Sequence, residues 1–179
     1  MAAPQKPFGF TLIELMITIA VLVILVTLAA PAFNLAEQRR VIGAAESALD
    51  QIQTARTEAI KQGQNIFFVS QSAGNTWCHT ISDTAGCDCT VADSCTIVLA
   101  GGENPVEFTR THDEFRGVTM TGAQEIEFDN VRGALIDPNA RSDLTFASDS
   151  FDMEVRINPI GRPRACGTNR AMGAYSQCD

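Results

Sequence analysis

Apolar positions divide the chain into three regimes. From Phe10 the sequence stays apolar for 24 residues, broken by the polar side chains of Thr11, Glu14, Thr18 and Thr27 alone, and residues 15–33 carry no charge. About 20 apolar residues cross a bilayer as a helix, so this run predicts a membrane-spanning helix or a secretion signal. Lys6 before it and Ala30-Pro31-Ala32 near its end fit the flanks of a cleaved signal. Two features oppose cleavage there. Glu14 lies inside the run, where an acid costs about 2.5–3.5 kcal/mol near a helix centre and less near its end. The helical pattern also resumes after Asn34: Val41, Ala45, Ala48, Leu49, Ile52, Ala55 and Ala59 recur at spacings of three and four. That stripe predicts an amphipathic helix running to Gln62, with Gly63 as its C-cap. Counted from Phe10, the helix would be about 53 residues and roughly 80 Å long at its regular rise.

Beyond Gly63 the period changes. Residues 65–69, 76–81, 95–99, 106–108, 118–120, 125–128, 144–146 and 153–157 are short β-rich runs separated by Gly, Asn, Asp and Pro. Several alternate polar with apolar, which suits a sheet with one solvated face. The expected fold class is therefore α+β: one long helix packed on an antiparallel sheet, or on two small packed sheets.

At the amino terminus, Lys6-Pro7-Phe8-Gly9 followed by Phe10-Thr11-Leu12-Ile13-Glu14 resembles the leader and processing site of type IV pilins and pseudopilins. The resemblance implies a leader over residues 1–9, cut after Gly9 by prepilin peptidase. It implies N-methylation of Phe10, and a Glu14 that compensates the terminal amine of a neighbouring subunit. A carboxylate in lipid wants such a cationic partner. Pro31 falls where many pilins have a kinking proline. Further on, Ile126-Glu127-Phe128-Asp129 with Gly133 and the late Val155-Arg156-Ile157-Asn158-Pro159-Ile160-Gly161-Arg162 are similar to the GspH/FimT branch of minor pilins. The type IV pilin fold is then expected: a transmembrane half-helix over 10–33, an amphipathic half over 34–63, and a β-rich head over 64–179 whose tail is 155–179. The implied partners are other major and minor pilins, prepilin peptidase and, before assembly, the inner membrane. The implied location is a single-pass inner-membrane protein with a periplasmic head, then a pilus filament at the surface of a Gram-negative cell.

Cysteines refine this picture. Cys78, Cys87, Cys89, Cys95, Cys166 and Cys178 all fall in the part that the pilin topology places in an oxidising compartment, where an even number reads as disulfides. Cys166 and Cys178 flank the tail and are expected to pair. The other four would pair among themselves, with Cys87 and Cys89 too close to be partners. A metal site built from this group lacks the paired C-x₂-C elements of zinc sites, and no cofactor is expected. Two histidines, His79 and His112, and the lack of a Gly-x-Ser-x-Gly elbow argue against an enzyme.

The formal net charge of -8 argues against a protein that binds nucleic acid over its whole surface. Its distribution changes that conclusion. Residues 103–154 hold 12 acids and four arginines, whereas residues 155–178 hold four arginines (Arg156, Arg162, Arg164, Arg170) and no Asp, Glu or Lys. Arginine's planar fork suits phosphate. Gly161-Arg162-Pro163-Arg164 resembles the Gly-Arg-x-Arg motif of FimT-type minor pilins linked to DNA uptake in natural transformation. It implies Arg162 and Arg164 as phosphate contacts and Gly161 as the turn, with Arg170 secondary. Arg156 alternates with Glu154 and reads as a surface pair. Thr168, Asn169 and Ser176 are possible hydrogen-bond donors to phosphate, and Tyr175 a possible base-stacking ring. Two or three phosphate contacts imply weak, sequence-independent binding with a salt slope of about -2 to -3. The alternatives are a structural minor pilin that primes pilus assembly and a GspH-type pseudopilin of type II secretion, both without DNA binding.

Overall fold

The structure is a computed structural model that describes residues 10–139 and 143–179, with the backbone alone over 28–33. The leader expected over residues 1–9, with Gly9, lies outside the described residues. The chain divides into two compact units, Met1–Ala36 and Glu37–Asp179.

One helix, α1 (Leu12–Gln62), enters both units. Thr11 caps its start: the Thr11 hydroxyl accepts the Glu14 amide at 3.3 Å, and Leu15 N–H donates to the Thr11 carbonyl at 3.1 Å. Thr11-Leu12-Ile13-Glu14 thus has the spacing of a capping box, with an acid in the first turn where the helix dipole favours one. In the first unit the apolar side chains from Leu12 to Val26 are all largely exposed. Among the described residues no helix is long and apolar enough to cross a membrane. The span expected over 10–33 runs into residues 28–33, whose side chains are outside the described set. At its far end the helix stops at Gly63, whose φ of 65° no β-carbon disfavours and whose N–H donates to the Ala59 carbonyl at 3.0 Å.

The second unit holds two four-stranded antiparallel sheets. The first has order β3-β2-β1-β5, from β1 (Ile66–Ala73), β2 (Thr76–Ser82), β3 (Arg110–Thr111) and β5 (Glu125–Phe128). The second has order β4-β6-β7-β8, from β4 (Thr119–Thr121), β6 (Asp143–Ala147), β7 (Asp152–Ile157) and β8 (Pro163–Gly167). A single core joins the helix stripe (Val41, Ala45, Ala48, Ile52, Ala55, Ala59) to Phe68, Ile126 and Phe128 of one sheet and Phe146, Met153 and Val155 of the other. Alanine at four of those helix positions lets the strands approach closely.

The apolar run Ile66-Phe67-Phe68-Val69 leaves no solvated face on β1. Its second face is covered by a smaller cluster in which Val69 and Phe67 pack on Cys78, Cys87, Cys89 and Cys95. Two disulfides, Cys78–Cys89 and Cys87–Cys95, hold that cover in place.

Two expected strands do not form. Residues 95–99 and 106–108 meet only in an isolated bridge, Ile97 with Val106. Helix side chains take over the backbone groups a ladder would have used: Glu58 accepts Ala100 N–H at 2.7 Å, Gln62 donates to the Val98 carbonyl at 2.9 Å, and Gln51 donates to the Phe108 carbonyl. Conversely, β3 and β8 were not expected.

Gln51 also accepts from the Nδ1–H of the fully buried His79 at 2.7 Å, while His79 Nε2 lies 3.1 Å from the Ser47 hydroxyl. The imidazole stacks on Trp77 with centroids 5.7 Å apart. Burial, helped by the nearby Arg110 charge, lowers its pKa to about 3, so it is neutral and structural.

Candidate nucleic-acid interface

The site begins with a turn. Asn158-Pro159-Ile160-Gly161 links β7 to β8, closed by Gly161 N–H donating to the Asn158 carbonyl at 2.8 Å. Pro159 sits where a β-turn favours proline, and Gly161 follows with φ of 75°. The Asn158 side chain secures the exit by accepting Arg162 N–H at 2.8 Å. Gly161 is required for a second reason: a β-carbon there would lie 2.1 Å from the Gly133 carbonyl oxygen.

Residues 163–167, inside the tail expected over 155–179, form a strand. They pair with β7 in the register Ile157 with Pro163, Arg156 with Arg164 and Glu154 with Cys166. Pro163 is tolerated because it opens an edge strand, where a missing N–H costs no interior ladder bond. Arg162 lies just before this edge strand and Arg164 on it, two residues apart, and both are exposed. Among the described residues neither guanidinium has an ion pair or hydrogen bond. Asp143, Arg156 and Arg164 stand opposite one another across β6, β7 and β8.

The other arginines are engaged. Arg156 binds Glu154 through two contacts, Nε to Oε1 at 3.0 Å and Nη2 to Oε2 at 3.1 Å, and donates to the Asp179 carbonyl at 2.9 Å. This pairing holds the Glu154 carboxyl below the ordinary carboxylate range and raises Arg156 in turn. Arg170 lies over the Phe151 ring, 4.4 Å from its centroid, and donates to the Ser150 carbonyl. It sits by the β6–β7 turn, at the other end of β8 from Arg162.

Several supporting groups are occupied elsewhere. The Tyr175 hydroxyl donates to Glu46 at 2.7 Å, so the ring is held against α1 instead of being presented to a base. The hydrogen bond to Glu46 raises the Tyr175 pKa above its ordinary value. Asn169 donates to Asp152, and the Thr168 hydroxyl is buried without a partner among the described residues. The tail itself is tied down. Cys166–Cys178 is the third disulfide, Gly167 N–H donates to the Ser176 carbonyl at 2.9 Å, and Cys178 N–H donates to the Gly167 carbonyl at 2.9 Å.

A cleft of about 590 Å³ lies elsewhere, between the β1–β2 tip, the Cys78–Cys89 disulfide and residues 111–113. Asp88 and Asp113 line it, which makes it unsuited to a phosphate.

Comparison with known proteins places this geometry in a family. The family described as Type II transport protein GspH matches residues 44–161, and the Prokaryotic N-terminal methylation motif matches residues 5–30. The first match ends at Gly161, so Arg162 and Arg164 lie beyond it. No curated protein matches the chain. Two crystal structures of the type IV minor pilin FimU from Pseudomonas aeruginosa PAO1 are similar. One, in space group P21, is 20% identical and covers 75% of this chain and 97% of its own, with a TM-score of 0.49. The other, in P65, is 18% identical and covers 71% and 96%, with a TM-score of 0.45. With about two thirds of its length matched and a methylation motif at its start, the chain belongs to the GspH family of minor pilins and pseudopilins.

Proposed function

We propose that this protein is a minor pilin that binds extracellular DNA through Arg162 and Arg164, without sequence preference, for uptake in natural transformation. One observation carries the reading: two exposed arginines, with no ion pair among the described residues, stand two positions apart at one edge of an otherwise acidic molecule. Elsewhere in the tail the arginines are satisfied internally, as Arg156 is by Glu154. Guanidinium groups at such an edge can each meet a phosphate in bidentate fashion. Among the described residues no recognition helix accompanies these arginines, so base edges go unread. Arg170, held on Phe151, is a secondary contact. Processing after Gly9, methylation of Phe10 and anchoring in the inner membrane through the apolar amino-terminal run precede incorporation into the filament. Pilus retraction would supply the force for uptake.

The test uses a fragment starting near Asn34, which retains the whole core cluster of residues 41–172. Its binding to a duplex oligonucleotide at low salt is measured beside Arg162→Ala/Arg164→Ala. Wild-type binding with a salt slope of about -2 to -3, reduced by about 2 in the double variant, supports the reading. No wild-type binding, or equal binding by the variant, refutes it. A second reading is favoured by the family match stopping at Gly161: a filament-priming minor pilin or type II pseudopilin that binds no DNA. A deletion strain that loses piliation, with no transformation defect beyond that loss, would select it.

A further inference from the structure

The turn that carries Arg162 docks on a second loop that itself carries an arginine. Residues 129–135 close on themselves: Asp129 N–H donates to the Ala134 carbonyl at 2.8 Å and Gly133 N–H to the Asp129 carbonyl at 2.9 Å. The Asp129 carboxylate caps the loop by accepting Val131 N–H at 3.3 Å and Arg132 N–H at 2.8 Å. This loop is joined to the β7–β8 turn by Leu135 N–H donating to the Pro159 carbonyl at 3.1 Å. The backbone of Gly161 lies directly against the Gly133 carbonyl. Arg56 on α1 holds the same carbonyl through Nε at 2.9 Å. Arg132 is therefore one residue from the point where the loop touches Gly161, and Arg162 is one residue from it on the other side. Arg132 is exposed, and among the described residues its guanidinium has no ion pair or hydrogen bond.

We propose that Arg132 is a third phosphate-contacting side chain, forming one cationic site with Arg162 and Arg164, and that Arg56 and Gly161 position it by clamping the two loops at Gly133. This rests on the DNA-binding reading above and extends it to a residue 30 positions upstream in a region whose charge is otherwise acidic. It also gives Gly161 a role beyond the turn, since any larger residue would part the loop of Arg132 from the strand of Arg164. The phosphates come from DNA, and a third contact steepens the salt dependence by about one unit.

The full chain in neutral detergent is titrated with a 30-base-pair duplex across a range of salt. The panel is wild type, Arg162→Ala/Arg164→Ala, Arg132→Ala, Arg132→Lys and Arg116→Ala. Arg116 is an exposed arginine just before β4, at the opposite edge of the second sheet from β8. Arg132→Ala is expected to weaken binding several-fold and to lower the salt slope by about 0.9. Arg132→Lys should restore the slope, and Arg116→Ala should leave both unchanged. Wild-type affinity and slope in Arg132→Ala, alongside loss in the double variant, would overturn this inference while sparing the reading beneath it. An equal loss in Arg116→Ala would also overturn it, because the effect would then be one of net charge. Failure of the double variant to lose binding would instead remove the underlying reading, and this inference with it.

Discussion

Gly161 concentrates two constraints in one residue. Its φ of 75° suits glycine, and its α-carbon faces the Gly133 carbonyl with no room for a methyl group. Gly161→Ala should therefore cost about 2 kcal/mol or more, combining the left-handed penalty with the displaced loop. Urea unfolding of the head fragment would read this as a lower midpoint at an unchanged slope; an unmoved midpoint would show that the turn has another acceptable conformation. His79 makes a different prediction. Its pKa falls from 6.5 to about 3 on folding, because burial disfavours the imidazolium. The unfolded chain therefore binds more protons between those values, so stability is full above pH 6.5 and is lost as pH falls toward 3. Glu58 and Glu154 have lowered pKa values too, but their contribution is lost only below the ordinary carboxylate range. Between pH 6.5 and 5 the slope should belong to His79 and approach about 1.4 kcal/mol per pH unit. Denaturant midpoints across that window should flatten in His79→Gln.

Elements show where local pattern and tertiary context disagree. The helix was legible because its apolar stripe and its glycine cap are local signals, and the stripe is the buried face. Residues 95–99 carry the β-rich composition of a strand yet meet only one bridge partner, because Glu58, Gln62 and Gln51 reach their region from the helix. Strand β8 was hidden for the opposite reason. Glycine at 161 and proline at 159 and 163 read as a loop, and only an edge position beside β7 makes that composition compatible with pairing. The Cys166–Cys178 bridge then ties the chain end to this edge. Removing it by Cys166→Ser/Cys178→Ser should cost about 3 kcal/mol for a loop of this size in the chain-entropy model. Thermal unfolding of the oxidised proteins would measure it, and an unchanged midpoint would mean that the Gly167 backbone bonds suffice.

At the scale of the whole molecule the relevant quantity is charge arrangement. The chain is acidic overall, and cleavage of the expected leader with Lys6 would make it more so. Such a body repels nucleic acid except where cations stand free. Glu14 belongs to this scale as well, since its expected partner is the terminal amine of another subunit. Glu14→Ala should leave cleavage after Gly9 intact, by mass of the processed chain, and should reduce the amount recovered in sheared filaments; normal recovery would show that the carboxylate is not needed for assembly, since the Glu14 N–H bond to the Thr11 hydroxyl is a backbone bond that the variant keeps.

By itself the sequence determined what depends on neighbours along the chain: the processing motif, the helix and its cap, the α+β class and the Cys166–Cys178 pairing. It also placed the arginines that separate this tail from its acidic head. Tertiary structure decided what depends on residues distant in sequence. The four central cysteines paired as 78 with 89 and 87 with 95 because both bonds cover the outer face of β1. Tyr175, open as a stacking ring in the sequence, was drawn to Glu46. Of the four tail arginines, Arg156 and Arg170 found partners in the fold, while Arg162 and Arg164 have no ion pair or hydrogen bond from their guanidinium groups among the described residues. Whether a charge is free or spent is a property of what packs beside it, and no local pattern carries that information.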